Sequence, residues 1–326
     1  MGKFDGYYIK TTDKSNSVGV IFGKNKNRKN RSSFIQIITA DKTFNTVYDY
    51  KDYKVTKKPF SVQIGKNKAS ESGLHLDFGN YSDDPNTGVK ADLTFGAFSP
   101  IRYDAMGYFR FFPFMECKHK VISMDHTASG QIQLGDQLIN FEKAKGYIEG
   151  DTGKSFPKKY FWSQCNLFDE KNEDLENEDD THEEPQHYGN LSIMASCARI
   201  PYLGIRFTGT ICIIHHNGLE HRLATYRRAK VKSFTENKLI IKQGKKILEI
   251  TVPDPDKNRH DLFAPNRGKM DRFIKETVTT TVHYKFTIKK ETIFDIQSNN
   301  AAFEFSIVEK DKNKIPHTRS SPENPK

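Results

Sequence analysis

The chain has a single tryptophan, four cysteines and no apolar run of 18 residues, and each scarcity removes a class of protein. Without such a run no transmembrane helix of ordinary length is encoded, and the opening Met1-Gly2-Lys3-Phe4 carries no apolar stretch for a signal peptide. A cytoplasmic protein is expected. The cysteines, Cys117, Cys165, Cys197 and Cys212, stand 48, 32 and 15 positions apart, so no Cys-x-x-Cys pair exists for zinc or a redox disulfide. They read as reduced, mostly buried thiols. Also missing is a sustained 3.6-residue apolar stripe, which predicts few and short helices. The run Gly150-Asp151-Thr152-Gly153-Lys154-Ser155 ends like a phosphate-binding loop. Ile148, however, stands where that loop needs glycine, and Pro157 disfavours the helix that should follow.

What is abundant is aromatic and alternating. The chain holds 24 Phe and 14 Tyr in 326 residues, a richness that suits strands or an apolar pocket. Val89, Ala91, Leu93 and Phe95 share one parity while Lys90, Asp92 and Thr94 share the other, the pattern of a half-buried strand. From Val278 to Ile288 the alternation runs for eleven residues, long enough for a curved strand of the kind found in barrels. Asn217-Gly218, Gly135-Asp136 and Gln243-Gly244 are hairpin signals between such runs. With about sixteen candidate strands, the fold predicted is all-β and antiparallel, with meander connections.

The formal net charge of +10 is uneven. Asp169 to Glu184 carries ten acidic residues against Lys171 alone, near −9, which leaves about +19 on the rest. A basic surface of that size suits an anionic membrane or a nucleic acid as well as plain solvent. Lys24 to Arg31, the acidic insertion at 169–184 and the tail at 313–326 read as irregular, solvated segments. Pro100, Gly107 and Pro113 interrupt the alternation between Pro100 and Met115. That places a boundary near residue 115, with an N-terminal domain at 1–115 and a C-terminal domain at 116–312. His119 and His126 differ by seven positions and so by parity, and they read as unrelated. His215, His216 and His221 flank a turn and read as surface groups.

One block is more specific. Gly146-Tyr147-Ile148-Glu149-Gly150-Asp151-Thr152-Gly153-Lys154-Ser155-Phe156-Pro157-Lys158-Lys159-Tyr160-Phe161-Trp162-Ser163-Gln164-Cys165-Asn166 resembles the signature block of the tocopherol cyclase family. Gly6-Tyr7-Tyr8-Ile9-Lys10 is similar to that family's opening motif, and Phe34-Ile35-Gln36-Ile37-Ile38-Thr39 to the strand after it. Leu262-Phe263-Ala264-Pro265, with Gly268, Met270, Arg272 and Glu276, resembles the closing motif. Thr152 and Tyr7 stand where the family usually has tryptophan, so the aromatic walls differ. The resemblance implies two lipocalin-like β-barrel units in tandem, related to those of carotenoid hydratases, with the signature block lining the site.

It also implies a reaction. An acid protonates the alkene of a prenylated hydroquinone, and the phenol oxygen closes a chroman ring on the resulting cation, without redox cofactor or metal. Such a site needs a carboxylic acid kept protonated by apolar surroundings, a dry cavity, and aromatic faces near the cation. Asp151, Glu149 and Glu116 are the candidate acids. Asp151 stands first because it lies within the signature block, although hydrogen bonding in a Gly-rich turn would equally explain it. Glu149 and Asp151 share parity, so mutual repulsion would raise one of their pKa values. Tyr8, Tyr147, Phe156, Phe161 and Trp162 are candidate ring faces, and Gln164 and Asn166 candidate partners for hydroquinone hydroxyls; core packing is the plainer role for all of them. The aromatic run from Tyr108 to Met115 reads as a pocket mouth, a membrane-touching rim or a buried seam. The ligand expected is a hydrophobic prenylated small molecule, with peripheral contact to an anionic membrane and no nucleic acid, since no stacking motif is present. A non-catalytic lipid or isoprenoid carrier with the same cavity is the alternative.

Overall fold

The computed structural model describes residues 2–79, 88–113, 115–169, 190–202 and 204–307. The acidic insertion beyond Asp169 and the tail from 313 lie outside the described residues. The described chain forms two large antiparallel sheets, one after the other.

The first sheet takes β1 (Lys3–Thr12), β2 (Ser17–Lys26), β3 (Arg31–Ile38), β4 (Thr43–Tyr48), β5 (Tyr53–Lys57), β6 (Phe60–Ile64), β7 (Asn67–Ser70), β8 (Gly73–Phe78), β9 (Val89–Phe95), β10 (Cys117–Leu134) and β11 (Gln137–Gly153). The second takes β12 (Lys159–Cys165), β13 (Ser192–Tyr202), β14 (Ile205–His216), β15 (Leu219–Ala224), β16 (Lys230–Phe234), β17 (Lys238–Gln243), β18 (Lys246–Thr251), β19 (His260–Asn266), β20 (Lys269–Ile288) and β21 (Glu291–Ile307). The two follow one plan. In the first, the chain steps outward from β1 to β4, reappears at the opposite end as β5, and returns strand by strand until β11 pairs with β1. In the second, β12 to β15 step outward, and the return from β16 ends with β21 pairing β12. This is the tandem lipocalin-like arrangement. Among the described residues no ladder joins β4 to β5 or β15 to β16, so neither sheet is a fully closed barrel.

Local chemistry explains the elements. In β9 the apolar set Val89, Ala91, Leu93 and Phe95 is buried and its alternates are exposed. In β20 Val278, Thr280, Val282, Tyr284 and Phe286 are all buried, and the strand is longer than the alternation alone, 20 residues. Asn217 and Gly218 both have positive φ (48° and 75°), the geometry a tight hairpin requires between β14 and β15. Lys24 to Arg31 is not an irregular loop: its ends belong to β2 and β3, and Asn27 caps the turn by accepting the backbone N–H groups of Lys29 and Asn30.

Each sheet curls around its own core. Ile9, Val20, Phe22, Ile35, Val62 and Leu76 lie in the first, and Phe161, Ile193, Leu223, Leu248, Tyr284 and Phe303 in the second. Burial of one such side chain stabilises by about 1.5–3 kcal/mol, against about 0–1 kcal/mol for an exposed ion pair, so the cores hold the sheets. A third cluster joins the two sheets: Tyr8, Val121, Met124 and Tyr147 pack on Tyr160, Trp162, Met194, Ile213 and Ala302.

The chain passes from one sheet to the other between Gly153 and Lys159, not near residue 115. A break at 115 would separate β9 from β10, which are hydrogen-bonded neighbours. The Pro100–Met115 stretch misleads because it leaves the first sheet, packs on the second and comes back. Arg222 pins it there: its guanidinium donates to the carbonyls of Tyr103 (2.9 Å) and Asp104 (2.9 Å) and pairs with Glu220 at 2.8 Å, almost wholly buried. Arg222→Lys keeps the charge but loses the fork, and should cost about 1–3 kcal/mol in urea unfolding. A loss near zero would mean that the connection is held by its aromatic contacts instead.

Candidate functional site

The two sheets meet along the ladders that join first and last strands of each unit, and the cross-strand register sets the site. Tyr8 on β1 is opposite Glu149 on β11. Asp151, two residues on, is opposite His119 on β10. Across the interface Trp162 on β12 is opposite Glu304 on β21, and Glu304 is opposite Glu276 on β20. Strand alternation turns all of these toward one cavity of about 190 Å³ between the sheets. Its walls are mainly apolar, including Phe4, Ile21, Phe34, Phe156, Tyr160 and Leu262. Edge-to-face ring pairs stiffen them: Tyr8 with Trp162 (5.6 Å), Phe4 with Phe156 (5.4 Å) and Phe156 with Tyr160 (5.9 Å).

The polar end is an ion triad beside two acids. His119 Nδ1 lies 3.1 Å from Asp151 Oδ1 and its Nε2 3.3 Å from Glu149 Oε2. Burial alone would lower the imidazole pKa, but the carboxylates of Glu149 and Asp151 outweigh it and hold His119 well above its ordinary value. Glu149 Oε2 also accepts the Tyr147 hydroxyl (2.6 Å) and the Trp162 indole N–H (3.1 Å). The Cys117 thiol donates to Asp151 at 3.3 Å; burial first, then that carboxylate, push the thiol well above its usual pKa and favour the neutral thiol.

Glu276 and Glu304 behave differently. Burial, reinforced by Glu149, pushes Glu276 up to about 8. Burial, then Asp151 and Glu149, raise Glu304 well above the carboxylate range. Glu276 is therefore mostly protonated at neutral pH and burial favours the neutral acid in Glu304 too; one carboxyl oxygen of each, like the Tyr8 hydroxyl, is buried without a hydrogen-bond partner among the described residues. His119, Glu149 and Asp151 also have the spacing of a metal centre, with one ligand atom from each within 4.8 Å of the others. Because the two carboxylates favour the imidazolium, a metal binding there would have to displace a ring proton of His119.

The family model for tocopherol cyclase-like proteins matches residues 22–306. The chain belongs to the tocopherol cyclase-like family. Over 62 residues it is 34% identical to the probable chloroplastic tocopherol cyclase of Oryza sativa subsp. japonica and to the chloroplastic tocopherol cyclase of Zea mays. Each match takes in 19% of this chain and 13% of the relative, so the aligned segment spans about an eighth of those proteins. Two solved structures share the fold. One is an AttH candidate from Nitrosomonas europaea, at 9% identity and TM-score 0.51, covering 93% of this chain and 92% of that one. The other is CghA, solved with Sch210972, at 8% identity and TM-score 0.50, covering 94% and 88%.

Within this family member the signature block is split by strand parity. Asp151, Glu149, Tyr8, Phe156 and Trp162 line the cavity, as does Glu116, raised by burial although Lys158 and Arg272 pull it down. Tyr147 stands behind the cavity and acts on it through Glu149. Phe161 does not reach it: next to Trp162 on β12, it points the other way, into the second core against Phe303 (5.2 Å). Gln164 and Asn166 share the parity of Trp162 but lie farther along the strand and outside the cavity lining; Asn166 donates to Asp125 and to the Gly146 carbonyl. Glu149 and Asp151 do face one side as expected, but His119 lies between them. His119, Glu276 and Glu304 are the groups that sequence reasoning passed over as site residues.

Proposed function

We propose that the protein is a cyclase that closes a chroman ring on a prenylated hydroquinone, with Glu276 as the acid. What supports this reading is a pair of buried carboxyls, Glu276 and Glu304, both shifted toward the neutral acid, in the lining of an aromatic cavity between the sheets. Burial favours the neutral acid in both, and Glu276, pushed up to about 8, lies close to neutral pH. A general acid works best with a pKa near the operating pH.

The Glu276 proton passes to one carbon of the alkene, and the other becomes a tertiary cation. The faces of Trp162, Tyr8 and Phe156 and the negative charge of Glu149 and Asp151 stabilise that cation. The phenol oxygen then bonds to it, and the phenol proton returns to the Glu276 carboxylate. No atom is gained or lost. Glu304, still protonated, and Tyr8 donate hydrogen bonds to the ring oxygens, while the apolar walls take the prenyl chain and exclude water that would otherwise trap the cation as an alcohol.

Anaerobic incubation with geranylgeranyl or phytyl hydroquinone, followed by mass spectrometry and chromatography, tests this. The expected product is an isomer of unchanged mass that elutes with the chromanol. Addition of one water would indicate a hydratase, and unaltered quinol retained in stoichiometric amount would indicate the carrier.

A further inference from the structure

One lip of the cavity is built to touch something outside the protein. The short 3-10 turn Gly107–Phe111 and the tip of the β13–β14 hairpin lie side by side, joined by Phe109 against Phe207 (6.1 Å) and Phe112 against Tyr202 (5.7 Å). Around these anchors Phe111 is 75% exposed, Tyr103 71% and Ile205 65%, with Tyr108 more than half exposed. Exposed single apolar residues are ordinary, but three on two adjoining tips, with Tyr103 on the segment leading into one of them, form a contact surface. The patch is continuous with the cavity, because Met106 and Phe109 from the turn and Ile200 and Gly209 from the hairpin also line it.

The exposed charges around it are mainly positive. Arg102, Arg110, Arg199, Arg206, Arg227 and Arg228 are exposed on the same segments and on the turn after β15. The acidic residues of these segments are already held: Asp104 lies 3.6 Å from Arg110 and Glu220 pairs with Arg222. Lys118 donates to the Arg110 carbonyl and adds a further cation at the edge.

We propose that this rim seats the protein on a lipid leaflet bearing anionic headgroups, with Phe111, Tyr108, Tyr103 and Ile205 entering the interface and the arginines contacting phosphates. Aromatic and aliphatic side chains ringed by arginine match the interfacial region of a bilayer, where apolar groups bury and guanidinium groups meet phosphate. A nucleic acid is less well matched: Ile205 offers no face for a base, and the patch opens into an apolar cavity rather than a groove. Among the described residues no helix is long and apolar enough to cross a membrane, so this contact is with one face of the leaflet. A hydrophobic ligand would then enter the cavity directly from the lipid phase. The inference stands on the surface alone and holds whether the cavity catalyses or carries.

Co-sedimentation of the full chain with vesicles tests it, comparing phosphatidylcholine alone with phosphatidylcholine mixed with phosphatidylglycerol. Binding is expected to the mixed vesicles, weakening as salt rises. The pair Phe111→Ser with Ile205→Ser should weaken it by about tenfold or more, as loss of two inserted side chains predicts. The pair Arg110→Glu with Arg206→Glu should weaken it by at least about fivefold per position and flatten the salt dependence. Leu138→Ser, at a similarly exposed leucine beside the β10–β11 turn (51%), should change nothing. Near-ultraviolet circular dichroism confirms that each variant is folded. No binding to the mixed vesicles, equal binding by every variant, or an equal loss in Leu138→Ser overturns the proposal. So does salt-dependent binding to single-stranded RNA with none to vesicles.

Discussion

Glu276→Gln should lower chromanol formation by about two to four orders of magnitude, the usual contribution of a positioned general acid. The amide is close to isosteric and the site keeps its shape, so substrate retention should persist while turnover is lost. Glu304→Gln should cost under about tenfold, because a neutral amide still donates the hydrogen bond that the protonated Glu304 would. Asp151→Asn and Glu149→Gln remove partners of His119, and their effect should rise with the disturbance of the imidazolium rather than track proton transfer. Full turnover in Glu276→Gln would sink the assignment of the acid, while equal losses at 276 and 304 would mean that the two act as one titrating unit. A second readout separates chemistry from folding. Glu276 has a raised pKa in the folded state, so the native protein binds its proton more tightly than the unfolded chain does. Its destabilising contribution is absent below the unfolded value of about 4.5 and grows as pH rises toward about 8. Glu276→Gln should therefore gain stability relative to the parent between those limits and match it at lower pH, in urea titrations across that range.

His119→Leu should destabilise the protein by about 3–5 kcal/mol at neutral pH, since it strands two buried or half-buried carboxylates without their cation. Leucine fills the volume, so the loss reports charge rather than a cavity. The sign of the pH dependence follows from a folded pKa held well above 6.5. The His119 contribution is complete below pH 6.5 and is lost as pH rises through the folded value. The parent should therefore lose stability with rising pH across that window more steeply than His119→Leu. A variant as stable as the parent at pH 7, with an unchanged slope, would mean that Glu149 and Asp151 are satisfied by other groups. Tyr147 and Trp162 already serve Glu149, so the larger share of the loss should come from Asp151.

The all-β class and many strand faces were legible in the residues, because period-2 burial is a local property: β9 and the inner half of β20 follow their alternation position by position. Parity also separated Phe161 from Trp162 in principle, since adjacent residues of a strand face opposite ways. Naming both as cavity walls set that rule aside. The histidine was harder. Counting back from the Gly135–Asp136 turn, with Leu134 opposite Gln137, puts His119 opposite Thr152. Three register shifts along β10 move it to Asp151, and a slip of one residue changes which face a side chain presents. Bulges leave no reliable mark in a single sequence. Glu276 stood in the quoted closing motif, but its role depends on Glu304 across a hairpin and on a cavity formed with the other sheet. Neither pairing is local. The boundary at 115 failed for the opposite reason: a local break in alternation was read as global, while β10 and β11 belong to the ladder that begins at β1.

The outward-and-return plan of both sheets has a consequence for the order of events during synthesis. In each unit the first strand waits for the last: β1 finds β11 only after nine strands have been made, and β12 finds β21 only after the whole second unit has. The site is strung along those two late seams, with Tyr8 and Glu149 on one and Trp162 and Glu304 on the other. Closing such long loops is slow, and it is favourable only when the partner strand is present. The first core can therefore pack while β20 and β21 are still to be made, and the cavity exists only once those strands have docked. The burial that raises the pKa values of Glu276 and Glu304 is thus assembled only at that last step.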